Sequence, residues 1–228
     1  MATFRKLQAT NFIELCGTGT ADEVKNAIDS GVNVNMRDSF GQTPILLAGA
    51  YNTVDVVKIL LKAGADVNIT AYDGSTALAW AAAHNTPEIV KLLLSAGANV
   101  NATRYDGLTA LLGVAKTNKS DKIEMLKILL TAGANVNARD SNGMTALLYE
   151  AQFGTPEAVN ILIEAGADDT KNNSGDNSLI LAARWNSYSM IKTLLNAGAD
   201  VSITNRDGKT ALDYAKENEN GRISAIRS

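Results

Sequence analysis

TALAWAAAHNTPEIVKLLLSAGANVN, residues 76–101, decides the fold, because its pattern recurs on both sides until the chain is used up. The closing tract, AGANVN and its variants, places a glycine at Gly31, Gly64, Gly97, Gly133, Gly166 and Gly198, in steps of 33, 33, 36, 33 and 32. A second glycine, at Gly41, Gly74, Gly107, Gly143, Gly175 and Gly208, follows ten residues later in every unit but one, where the gap is nine. Two series locked in phase exclude chance and make this a repeat chain.

Within the quoted stretch, Ile89, Val90, Leu92, Leu93 and Leu94 mark an apolar helix. The same slots hold Val56, Val57, Ile59, Leu60 and Leu61 around a solvated Lys58, then Met125, Leu126, Ile128, Leu129 and Leu130, then Ala158, Val159, Ile161, Leu162 and Ile163. These predict almost wholly buried helices stacked layer on layer. Thr86-Pro87-Glu88 and Thr155-Pro156-Glu157 read as helix starts, with threonine capping free amides, proline in the first turn and the acid facing the positive dipole end. The glycines of AGAD read as stops.

The 33-residue period, the openings GQTPILLA (41–48), GSTALAWA (74–81) and GMTALLY (143–149), and the closing GADVN (64–68) together resemble ankyrin repeats. That resemblance implies an all-α solenoid of paired helices with short β-hairpin turns between pairs. It also implies an elongated stack that binds other proteins, and it covers nearly the whole chain as a single domain. Residues 1–35 form an N-terminal cap unit, in which Phe12, Leu15 and Cys16 face Val24, Ala27 and Ile28. Full repeats run over 36–68, 69–101, 102–137, 138–170 and 171–202, and 203–228 form a C-terminal cap unit. Its last apolar residues, Ile223 and Ile226, predict a short, frayed helix. The third repeat carries three extra residues within NKSDKIE, 118–124, between its helices. The fifth departs most, with Asn177 where the opening threonine belongs and a turn one residue short, which predicts a local kink near 168–175.

In a solenoid each unit touches only its neighbours, so 228 residues need no shared central core. With 21 basic and 24 acidic side chains and a net charge of −3, there is no electrostatic footprint for nucleic acid or an anionic membrane. No stretch approaches twenty apolar residues, which excludes a helical membrane span. Residues 1–15 lack the apolar run of a signal peptide. That absence and the single cysteine, Cys16, predict a cytoplasmic monomer, with export after removal of a leader as the alternative.

Catalysis finds no support in one histidine, one cysteine and no Gly-rich phosphate loop, so no enzyme activity and no cofactor are expected. Asp66, Asp73, Asp168 and Asp200 lie at repeat spacing and serve turns, so no metal site is expected either.

Recognition is then sought in residues that vary between units. In ankyrin repeats the hairpin tips and the exposed ends of first helices line a concave groove for partners, and the resemblance carries those slots over. At the helix ends stand Tyr51, His84, Phe153 and Trp185, with Thr117 in the third repeat; at the tips stand Phe40, Tyr72, Tyr105, Arg104, Arg139 and Arg206. Exposed aromatics in a row have the composition of binding hot spots. Arg104, standing where other units have a short turn-forming Asp or Asn, points to an acidic partner group. One turn earlier, Trp80 and Tyr149 occupy a slot usually given to packing.

The reading is a module that binds a partner protein through this face; the alternative is a stack that occludes a partner enzyme or self-associates. Two residues stay open. Gly113, between the aromatic units, either receives a partner's side chain or makes room for Trp80. Glu150 stands where sister units have Ala48, Ala81, Val114 and Ala182, and either reaches the groove or pairs with Lys116 or Arg184.

Overall fold

The computed structural model describes residues 12–185 and 187–218. The sequence-predicted helix at Ile223 and Ile226, and residues 1–11 of the start, lie outside them. Residues 12–18 are helical (α1) and pair with α2, Ala21–Asp29. Five helix pairs follow. They are α3 (Pro44–Tyr51) with α4 (Val54–Lys62), α5 (Ala77–His84) with α6 (Pro87–Ser95), and α7 (Ala110–Ala115) with α8 (Lys122–Thr131). Then come α9 (Ala146–Phe153) with α10 (Pro156–Glu164) and α11 (Ser178–Arg184) with α12 (Tyr188–Asn196); α13 (Ala211–Glu217) opens the last unit.

The contacts sort these helices into two rows. The first helices, α3, α5, α7, α9, α11 and α13, pack each on the next, the second helices α2 to α12 do the same, and each pair joins the rows. The first helices have little polar surface to spare: α5 buries Ala77, Leu78, Ala81 and Ala82 between its neighbours. The second helices are amphipathic. In α4, Val56, Val57 and Leu60 are buried while Asp55, Lys58 and Lys62 are exposed, so these helices are buried along one stripe rather than almost all round.

From α4 to α12 each second helix stops in the same way. At the end of α4, Gly64 adopts φ +87°, its N–H donates to the Leu61 carbonyl at 3.1 Å, and the Ala65 N–H donates to Leu60 at 3.0 Å. This is the left-handed cap for which glycine is the least strained residue. Starts are less uniform: Thr155 accepts from the Ala158 amide at 3.2 Å, whereas Thr86 makes no side-chain cap bond. Asn177 replaces threonine without loss, its Oδ1 accepting from the Ile180 amide at 3.0 Å.

Among the described residues no strand forms. The expected hairpins are closed turns, as where Ala71 N–H donates to Ser75 (2.8 Å) and Gly74 N–H to Ala71 (2.9 Å). One backbone bond links each tip to the next: Tyr72 to Phe40, Tyr105 to Asp73, Ser141 to Asp106, Asn173 to Asn142 and Arg206 to Ser174. Too few bonds form per step for a ladder.

The loops that follow the second helices are stitched by asparagine. Asn68 donates through Nδ2 to the Gly97 carbonyl (3.0 Å) and accepts the Asn99 amide on Oδ1 (2.8 Å). Asn35, Asn101 and Asn137 repeat this to the next unit. The series ends with the fourth repeat, where Thr170 takes the asparagine's place and Asp169 that of the buried Val67. Asp169 turns instead to the start of α11, accepting from Asn177 Nδ2 (3.1 Å) and the Ser178 amide (2.9 Å).

A second polar column runs through the loops inside the pairs. Asn52 Nδ2 donates to the Cys16 and Gly19 carbonyls (2.9 and 3.0 Å), and Asn85 to Asn52 (2.9 Å). In the third repeat the longer loop between α7 and α8 supplies Lys119 for this purpose, donating to the Asn85 carbonyl. The extra residues therefore do more than lengthen a loop. Cys16 in α1 is fully buried, and burial pushes its thiol up to about 12, as suits a small packing residue rather than a nucleophile.

Candidate partner-binding face

The sites singled out from the sequence fall on the side of the molecule built by the tips and the first helices. Tyr51, Phe153 and Trp185 are 56, 54 and 55% exposed, and His84 is exposed as well. Phe40, Tyr72 and Tyr105 stand out from the tips, Tyr105 at 84%. Tyr188, at the start of α12, is a further exposed aromatic absent from the sequence reading, because its slot belongs to a second helix.

The helix-end aromatics gather into two clusters. Trp80 stacks on His84 with ring centroids 5.3 Å apart, and Tyr51 meets the Trp80 edge at 5.8 Å. The His84 ring is fixed by a 3.1 Å contact from Nδ1 to the Trp80 carbonyl. Two repeats on, Phe153 and Trp185 meet edge to face at 4.8 Å. Trp80 is half-buried and packs on the core, while Tyr149 is buried, its hydroxyl donating to Asp140 Oδ2 at 2.5 Å. Burial and that carboxylate hold the Tyr149 phenol well above the usual tyrosine range.

Between the clusters, at the unit carrying Gly113 and Thr117, the row dips. A Cβ on Gly113 would meet nothing within 4 Å, so the glycine is not there to relieve Trp80. The space is a cleft of about 240 Å³, walled by Ala79, Trp80, Ala83 and His84 and floored by Leu108, Thr109 and Gly113, with Arg104 at the tip end. The Thr76 and Thr109 hydroxyls on its rim accept the Ala79 and Leu112 amides, which leaves the lining largely apolar.

The arginines differ in how free they are. Arg104 is clamped bidentately on Asp106 of its own tip, and that guanidinium holds the carboxyl down at about 2. Arg139 spans to the next tip, donating to Thr170 Oγ1 (2.7 Å) and the Lys171 carbonyl. Arg206 is exposed, and no side-chain bond engages it among the described residues. Asp38, Asp140, Asn172 and Asn205 accept amides of their own turns, as at Asp38 Oδ1 from Phe40 (2.8 Å) and Gln42 (2.9 Å).

Glu150 does not reach this face. It is fully buried in α9 and pairs with Lys122, which is 6% exposed, Nζ lying 3.0 Å from Oε1. Neither expected cation is involved: Lys116 sits over the Tyr149 ring at 5.1 Å, and Arg184 pairs with Asp176 at 2.7 Å. Desolvation raises the Glu150 pKa despite the lysine. Lys122 stands where sister units have Thr53 and Thr86, and an apolar-to-charged change one repeat later was the only trace of the pair in the sequence.

Among the described residues no group of three or more His, Cys, Asp or Glu side chains could hold a metal ion, and no helix is long and apolar enough to cross a membrane. The family model for ankyrin repeats (3 copies) matches residues 13–104 and 111–205. No curated protein matches the chain.

Proposed function

Since the chain belongs to the ankyrin-repeat family, whose members are in general protein-interaction modules and typically not catalysts, we propose that it binds a partner protein across the concave face formed by its tips and first helices. The observation that carries this reading is the exposure of Tyr51, Phe153 and Trp185, each over half accessible in a chain with only 5% aromatic residues. Large rings held at helix ends lose little conformational freedom on binding and desolvate much area, which is why such side chains dominate interface energies. Tyr72, Tyr105, Phe40, His84 and Arg206 extend the surface, with Arg104 and Arg139 as its pre-ordered cationic rim.

Affinity capture with the wild type and with Tyr51, Phe153 and Trp185 together changed to alanine tests it. The triple variant should retain its helicity and lose the captured partner. Capture that persists at wild-type level would remove these residues from the interface.

A further inference from the structure

We propose that the cleft between Trp80 and Gly113 receives a bulky apolar side chain of a partner's acidic segment. This rests on the reading of the tip-and-first-helix face as the binding surface and names the chemistry of what lies there.

The cleft's volume, about 240 Å³, exceeds the roughly 150 Å³ of an apolar cavity that accepts benzene. An aromatic side chain therefore has room. Its walls suit one: Trp80 and His84 present a stacked pair, Ala79, Ala83 and Leu108 are apolar, and the rim hydroxyls are already spent on helix amides. Gly113 keeps the floor open, since any larger residue there would project into the empty space.

The charge comes from an asymmetry between the two sides of the molecule. All five described arginines, Arg37, Arg104, Arg139, Arg184 and Arg206, belong to tips or first helices. Four cations of that side, Arg37, Lys116, Arg139 and Arg206, make no ion pair among the described residues. Of the acids beside them, Asp106 and Asp176 are ion-paired with Arg104 and Arg184, Asp38, Asp73 and Asp140 are held within their own turns, and Asp207 is exposed. Exposed acids such as Asp22, Asp55, Glu88 and Glu157 lie on the second helices instead. A carboxylate-bearing segment meets unpaired guanidinium groups on this side, whereas the second helices mix those acids with exposed lysines such as Lys58, Lys62 and Lys127.

The probes are blocked pentapeptides of one tryptophan flanked on each side by two aspartates or by two lysines, followed by amide NMR. The acidic peptide should shift the resonances of Ala83, Leu108 and Gly113 and bind at least tenfold more tightly than the basic one. Gly113→Leu should weaken it at least tenfold with the melting temperature unchanged, and Ala83→Leu gives a second way to fill the cleft should the first fail to fold. If the acidic peptide binds and is lost with the Tyr51, Phe153 and Trp185 alanine variant but not when the cleft is filled, the face stands and the cleft falls. Equal binding of the basic peptide, or no binding of the acidic one, overturns the proposal.

Discussion

A Cβ added to Gly154 would lie 1.6 Å from Oε2 of Glu150. The two residues are matched one turn apart, where sister units pair Ala48 with Asn52 and Ala81 with Asn85. An asparagine at 154 would need the space the buried carboxylate fills. Gly154→Asn should therefore destabilise the protein by about 1–3 kcal/mol, the usual cost of overpacking. Adding Glu150→Ala to it should relieve the steric part, which chemical denaturation of the single and double variants would read as non-additivity.

Removing one member of the Lys122–Glu150 pair leaves the other charge buried alone. Glu150→Ala should cost about 3–5 kcal/mol, whereas Lys122→Met combined with Glu150→Met should recover most of that loss, since paired burial offsets little more than its own desolvation. A double variant as unstable as the single one would show that the pair is a net source of stability. The denaturation midpoints decide it.

The Arg104–Asp106 clamp sets an acid dependence. Because the Asp106 pKa falls to about 2 in the folded protein, its contribution is present above the unfolded value of about 4 and is lost as pH falls toward 2. The stability gap between the wild type and Asp106→Asn should be fully developed at neutral pH and close across that window. A gap that stays constant down to pH 2 would contradict the clamp.

Tyr149 predicts the opposite limb. Its hydroxyl donates to a carboxylate, a bond of about 1.5–3 kcal/mol, so Tyr149→Phe should lose that much at pH 7. The phenol's pKa is raised on folding, so the advantage of tyrosine is complete below about 10 and shrinks as pH climbs past it. Ultraviolet titration should show a tyrosine ionising well above the usual range in the wild type and not in Tyr149→Phe.

The repeat register, the glycine stops and the exposed aromatics were legible because each is a local property. A left-handed cap needs glycine whatever surrounds it, and a Tyr, Phe or Trp at the end of a first helix is covered only in part, by rings of the adjacent unit. Pairings across repeats were not legible. Lys122 finds Glu150 across the joint to the next repeat, and Arg104 finds Asp106 rather than open solvent because the tip folds back on itself. Gly113 could be read two ways until the space above it was known. The asparagines that close GADVN and its variants had no role legible locally, because their side chains act on the following unit.

The interruption of that asparagine series at Thr170 gives the stack a grain. In a linear array held by adjacent contacts each joint keeps its own fastenings, and between the fourth and fifth repeats the two bonds of the missing asparagine give way to the two that Asp169 makes to Asn177 and Ser178. Removing that one carboxylate would therefore loosen this joint alone, while the asparagine-linked repeats before it stay in register.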